Sequence, residues 1–310
     1  SLTGTTLIID PSHAGFASLA ASATRSIVVA YSVSDGAGST VNQTATVTIT
    51  GTNDAPTVSA GAAIDPLVEA GGAANGTSGT ASTTIVLTKA DVDGSASFDT
   101  GYLTSNGWST ADLGSTYTKA GTYGDATFTV TSGVVSYALN DSDADTQALA
   151  AGASVVDSFG SIQVSDGAAT STVAVSFAIV GSNDTPTTSG GTVTAVAATA
   201  YTFKASDFGF SDVDTGAALS AVRIDTLPTI GTFQLDGGAV TAAQTIAVAD
   251  INANKLTFTP AAGAAGTGYA NFTYSISDGT VYNTTPATMT INAGYTLTGT
   301  VKEWKDGTNL

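Results

Sequence analysis

Two runs of Val, Ile, Thr and Ala end in the same punctuation, Gly51-Thr52-Asn53-Asp54-Ala55-Pro56 and Gly181-Ser182-Asn183-Asp184-Thr185-Pro186. A chain that repeats itself at this distance is built from modules, each burying its own apolar faces. Pro ends the preceding strand and stiffens the exit, Gly allows a sharp turn, and Asn and Asp bring short oxygen ligands. Each motif therefore reads as a joint between domains and not as a catalytic sequence. The segment from Ser18-Leu19-Ala20 through Val33-Ser34-Asp35-Gly36 to Pro56 aligns with Ala148-Leu149-Ala150 through Val164-Ser165-Asp166-Gly167 to Pro186. A third echo is Tyr274-Ser275-Ile276-Ser277-Asp278-Gly279. The cuts fall at 1–56, the closing half of a domain, then 57–186, 187–293, and 294–310 as the start of a further β domain. The chain is thus expected to be a piece of a longer protein.

Within the modules the pattern is that of short strands. Thr44 to Thr50, Ala126 to Val130, Val134 to Leu139, Thr172 to Val180, Leu256 to Pro260 and Asn271 to Ser277 alternate and are rich in β-formers. Asp-Gly or Asn-Gly pairs at 35, 75, 93, 106, 166, 236, 278 and 306 suit tight turns, and the pair at 236 has the context of a hairpin. Only Val248 to Ala253 suggests a helical turn. The expected fold is all-β: tandem Greek-key β-sandwiches, as in immunoglobulin-like domains, joined by short calcium-binding linkers.

Charge narrows the function. Eight Lys plus Arg against 25 Asp plus Glu give a formal charge of -17, which repels nucleic acid and anionic lipid and attracts cations. With no Cys and the single His13, disulfides, thiol chemistry and histidine-based zinc or triad chemistry have little to work with. No run of about 18 apolar residues spans a membrane. Oxygen ligands are what the chain offers, and calcium takes six to eight of them.

The acids gather at turns. Glu69, Asp91-Val92-Asp93 and Asp166 lie in the middle module; Asp207, Asp212-Val213-Asp214 and Asp278 lie in the third. An Asp-x-Asp pair on an extended segment sends both carboxylates to one side. If each Asp-x-Asp turn and each Asp-Gly turn meet the preceding Asn-Asp linker, five or six oxygens surround one space. The expected metal ligands are Asn53, Asp54, Glu69, Asp91, Asp93, Asp166, Asn183, Asp184, Asp212, Asp214 and Asp278. Asp141, Asp143 and Asp145 imitate an EF-hand, but Thr146 and Gly152 stand where its Gly and Glu belong, so that motif is rejected. Neighbouring turn acids also fail the spacing of a glycosidase pair, so no enzyme activity is expected. Tyr31, Tyr123, Phe128, Tyr137, Phe159, Phe203, Phe258, Phe272 and Tyr274 are expected to fill the cores. Trp108 follows a turn and reads as a core anchor, with sugar stacking as the alternative.

On Leu19-Ala20, Tyr31 to Pro56, Tyr123-Gly124, Tyr137-Ala138-Leu139, Leu149 to Gly152 and Val164 to Pro186, the first two modules resemble VCBS repeats, cadherin-like modules of large secreted RTX-type bacterial adhesins. The third is similar to another bacterial cadherin-like module through Tyr201-Thr202-Phe203, Ala205 to Phe208, Phe210 to Asp214, Leu256 to Pro260 and Phe272 to Gly279. The resemblance implies calcium (Ca2+) at the joints, type I export, and a stalk at the cell surface in adhesion or biofilm. Two departures are Ala197-Ala198, where an acidic pair is usual, and an ending at 290–294 without Asn-Asp-x-Pro. Partners are then neighbouring repeats of the same chain, and beyond them other copies or cell-surface glycans. Two other readings are a self-assembling subunit of an extracellular filament or surface layer that uses strand addition, and an accessory region of a polysaccharide-acting enzyme with Trp108 or Trp304 on sugar.

Overall fold

The computed structural model describes residues 2, 3, 6–71, 78–110 and 112–294. The Asn75-Gly76 turn, the segment from 295 with Trp304, and the Asp306-Gly307 turn lie outside these residues. Two compact units partition the chain: Ser1–Leu67, Thr80–Asp143 and Val155–Ile179 make the first, while Val68–Gly79, Ala144–Ser154 and the chain from Val180 onward make the second. Among the described residues no helix is long and apolar enough to cross a membrane.

The first unit opens with a small pair, β1 (Leu2–Thr3) and β2 (Thr6–Leu7), and a long antiparallel ribbon, β3 (Thr24–Ser34) with β4 (Thr40–Thr50). The main body has two sheets. One runs β5-β7-β11-β10-β9, made of Thr57–Ala60, Ser82–Ala90, Val134–Leu139, Gly124–Thr129 and Thr116–Ala120. The other runs β6-β13-β12-β8, made of Leu67–Val68, Thr170–Val180, Ser154–Ser165 and Ser97–Phe98. Alternation in sequence becomes alternation in burial: Ala126 and Phe128 point inward on β10, Val135 and Tyr137 on β11, Val175, Phe177 and Ile179 on β13. Aromatic contacts then join the sheets. Tyr137 stacks on Phe177 at 4.8 Å, and Phe98 meets Phe128 edge-on at 4.9 Å.

The second unit repeats this plan. Its sheets are β15-β24-β23-β18-β21 (Gly191–Val196, Ala287–Gly294, Gly266–Ser277, Ala221–Ile224, Thr245–Ala247) and β16-β22-β19-β20 (Tyr201–Thr202, Leu256–Thr259, Thr232–Leu235, Gly238–Ala239). A short pair, β14 (Thr187–Thr188) and β17 (Phe210–Ser211), leads in. β15 pairs with β24 in parallel, while the other strands of these two sheets pair antiparallel. Phe233 and Phe272 meet across the sheets at 4.8 Å, inside a core that also holds Phe203, Phe208, Phe258 and Ile276. The protein is therefore all-β, with β-sandwich architecture.

Several expectations need correction. Tyr31 does not enter a core; on the two-stranded ribbon it is 48% exposed. Helix is not confined to α3 (Val248–Asn252). Asp99 accepts the Tyr102 N–H and caps α1 (Thr100–Ser105), α2 spans Ala144–Gln147, and Ala205–Phe208 forms a 3-10 turn. The tight turn at Asn106-Gly107 falls where α1 ends.

Candidate metal sites

In the first unit the segment after β4 is tied to two loops. Asn53 Nδ2 donates to Asp166 Oδ2 at 2.9 Å and to the Asp54 carbonyl at 3.0 Å, and the Asp54 N–H donates to Asp93 Oδ2 at 3.2 Å. Asp166 occupies the loop between β12 and β13, where its Oδ1 accepts the Ala168 and Ala169 N–H groups, both at 2.7 Å. Those backbone donors, led by Ala169 and joined by the Asn53 amide, hold its carboxyl below the usual range.

The second unit builds the same pattern, atom for atom. Asn183 Nδ2 donates to Asp278 Oδ2 at 2.9 Å and to the Asp184 carbonyl, and the Asp184 N–H donates to Asp214 Oδ2 at 2.8 Å. Asp278 Oδ1 accepts the Thr280 N–H at 2.6 Å and the Val281 N–H at 2.9 Å.

The Asp-x-Asp pairs are not extended, as the spacing suggested. The Asp93 N–H bonds Asp91 Oδ1 at 3.2 Å, and the Asp214 N–H bonds Asp212 Oδ1 at 3.0 Å, so each pair curls into an Asx-type turn. Val92 and Val213 are thereby turned out, 56% and 54% exposed. The curl leaves the same atoms stranded in both repeats. Asp91 Oδ2, Asp93 Oδ1, Asp212 Oδ2 and Asp214 Oδ1 are all buried without a hydrogen-bond partner. Stranding a carboxylate oxygen in this way is costly unless something positive faces it.

Among the described residues no ion pair reaches these oxygens. The ion pairs there are Arg223 with Asp225 and Lys255 with Asp250. In the second unit burial pushes the Asp212 carboxyl up, and Asp278 adds to the rise. Burial likewise raises Asp214, with Asp212, Asp184 and Asp278 repelling it. Among the described residues no three acidic side chains are drawn into a closed metal cage.

Glu69 does not join Asp91, Asp93 and Asp166. It belongs to the second unit, is 0% exposed, and sits at the start of the second joint. The Ser182 N–H donates to its Oε2 at 3.1 Å, the Ser182 hydroxyl donates to its backbone carbonyl at 2.7 Å, and Gln147 Nε2 lies 3.5 Å from Oε1. Ser182 and Gln147 were not expected from the sequence; the signal was the Ser that replaces Thr52 in the second motif. The Thr215 N–H, bonded to the Ala148 carbonyl at 3.1 Å, likewise pins the loop after Asp214. Asp207 serves the fold, accepting from the Tyr201 hydroxyl at 3.0 Å and the Lys204 N–H at 2.8 Å.

The donor set is made of hard oxygen atoms, the kind that calcium takes. Asp54, Asp91, Asp93 and Asp166 with the Asn53 amide would hold it in the first unit. Asp184, Asp212, Asp214, Asp278 and Glu69 with the Asn183 amide would hold it in the second. Bound there, the ion supplies charge neutralisation and shared coordination. Trp108 offers nothing to a sugar: it is 2% exposed and packs beside Phe159 at 6.2 Å.

Neither a protein-family profile nor a curated protein sequence matches the chain. Among solved structures it is similar to an endo-fucoidan hydrolase of glycoside hydrolase family 107, at 17% identity and TM-score 0.23, covering 88% of this chain and 34% of that one. It is also similar to the EC1-2 fragment of human protocadherin-24, at 13% identity and TM-score 0.33, covering 67% and 86%. A third similarity is to the S-layer protein rSbsC, at 11% identity and TM-score 0.23, covering 87% and 35%. The chain thus spans about a third of the hydrolase's length. Similarity this low assigns no function, which must be argued from the sites themselves.

Proposed function

We propose that this chain is a non-enzymatic stalk segment of a secreted bacterial surface adhesin, serving cell attachment or biofilm, in which calcium stiffens the connecting segments 51–56 and 181–186. The observation that carries the reading is the pair of repeated joints where Asp91 Oδ2, Asp93 Oδ1, Asp212 Oδ2 and Asp214 Oδ1 are buried without partners. A catalytic pair needs two carboxyls across a cleft; here each pair shares one tight turn. Extracellular modules hold calcium with dissociation constants of roughly 10⁻⁴ to 10⁻³ M, which suits a secreted protein. The mechanism is mechanical. Without the ion, like charges push each connecting segment away from its loops; shared coordination ties them together.

Small-angle scattering tests this. The radius of gyration is expected to be larger and its distribution narrower in about 5 mM calcium, several times the dissociation constants of such modules, than in chelator. An unchanged profile, with no calcium bound by calorimetry, would overturn the proposal.

One observation favours a second reading. β3 and β4 pair only with each other among the described residues, and Arg25 is the only charged residue in either strand, so both outer edges lack the usual guard against strand addition. A self-assembling subunit would give regular filaments from this chain alone in electron microscopy. Monodisperse particles would exclude it.

A further inference from the structure

We infer that β15 and β24 form a mechanical clamp: tension that enters at Gly191 and leaves at Gly294 loads their whole parallel ladder in shear. Tension is what the stalk reading above supplies; the clamp itself follows from strand direction and needs no calcium.

Direction decides how a ladder fails. Where the chain leaves two paired strands at the same end, tension opens one hydrogen-bonded step after another; where it leaves them at opposite ends, all steps are strained together. β15 and β24 are in parallel register over six partners, from Gly191 with Met289 to Val196 with Gly294. The chain enters β15 at the Gly191 end and leaves β24 at the Gly294 end, so pulling drives one strand past the other. The Ala197 N–H, bonded to the Gly294 carbonyl at 2.9 Å, carries the ladder one step further. β14, with only two partners on β17, gives way before it.

Place in the sheet makes this ladder the point of failure. β15 is an edge strand whose one neighbour in its sheet is β24, whereas β24 is also held by β23. Beneath the pair Val193, Ala195, Met289 and Ile291 are buried in the core. A slip of one residue cannot re-form the ladder, because it would set the exposed Thr192 and Thr194 toward that core. The strand also starts flush against its neighbour. A Cβ at Gly191 would lie 2.2 Å from the Asp207 carbonyl oxygen and 2.7 Å from Met289 Cε, a closeness only glycine allows.

Single-molecule force spectroscopy on the full chain in chelator tests this. The chain has no Cys, so cysteine handles can be placed at will. Handles at the two termini load the ladder in shear. Thr192→Cys with Thr290→Cys puts them on register partners at one end of the pair, where the same ladder unzips. Either way the module releases about 100 residues, roughly 320 to 370 Å of extended chain. Forced unfolding reads the unfolding barrier, and the rupture force is expected to be severalfold higher with terminal handles. Val193→Pro, which fixes φ and removes an N–H in mid-strand, should bring the shear force down to the unzipping level and leave the other unit's steps unchanged. If that variant fails to fold, Val193→Ala, which removes buried contact beneath the ladder, should lower the force part of the way. Equal forces in the two geometries, or a shear force that the Val193 variants leave unchanged, would overturn the clamp while leaving calcium stiffening of the joints untouched. A chain that binds no calcium but keeps the force difference would overturn the calcium reading and support the clamp.

Discussion

A Cβ at Gly51 would lie 2.1 Å from the Leu19 carbonyl oxygen, and one at Gly181 2.3 Å from that of Leu149. The glycine of the repeated joint is therefore there for close approach, not for a left-handed turn, since neither residue has a positive φ. The contact closes a ring in each unit: the Gly181 N–H donates to the Ala153 carbonyl at 2.8 Å and its own carbonyl accepts the Gly152 N–H at 3.0 Å, as Gly51 does with Ala23 and Ser22. This explains why Leu-Ala recurs before each strand pair. Gly181→Ala must displace backbone, and is expected to destabilise the second unit by about 2 to 3 kcal/mol in urea unfolding; an effect below about 0.5 kcal/mol, the scatter of neutral surface changes, would show that the loop yields freely. Sequence reading reached these residues through repetition, but it assigned the glycine the wrong reason. It named Glu69 without its partner: the group that fixes that side chain is Ser182, 113 residues away, and no local pattern carries that information.

At the level of elements, periodicity was most informative where both faces of a strand have different neighbours. β11 falls on Val134–Leu139 as the alternation predicts, and the Asp236-Gly237 pair turns β19 into β20 with φ of 51° and 78°, the left-handed values such a hairpin needs. α1 stayed hidden because Thr-Gly-Tyr-Leu-Thr-Ser is poor in helix formers; the Asp99 cap and the burial of Leu103 hold it instead. The ribbon β3–β4 is the opposite case, a strong local pattern with little tertiary support. It has eleven paired positions and not one buried side chain, with Val28 62% and Val41 59% exposed. Two strands alone are marginal in water. Its amides are expected to exchange at least about 100-fold faster than those of β23 and β24, whose opening approaches that of the whole unit. Equal protection in dilute solution would mean that another surface covers the ribbon, and a concentration dependence would identify that surface as a second copy.

For the whole molecule, the question is whether a formal charge of -17 acts as a diffuse field or at two points. A diffuse field responds to ionic strength, so sodium and calcium at matched ionic strength should stabilise alike. Two sites respond to the ion's chemistry. Magnesium demands tight octahedral coordination and keeps its waters, whereas calcium accepts the irregular oxygen sets found here. Each site lies within one compact unit, so its binding energy belongs to that unit's unfolding. With dissociation constants of roughly 10⁻⁴ to 10⁻³ M, 10 mM calcium is about 10 to 100 times the constant and adds about 1.4 to 2.7 kcal/mol per site. For units of this size that raises the melting temperature by roughly 3 to 10 °C. Scanning calorimetry should show this rise in calcium, a smaller one in magnesium, and almost none in sodium at equal ionic strength. Asp214→Asn should abolish the calcium-dependent shift of one transition, and Asp93→Asn that of the other. If sodium reproduces the calcium shift, the acids act through their summed field, and the stranded oxygens of the two joints are not where the ion binds.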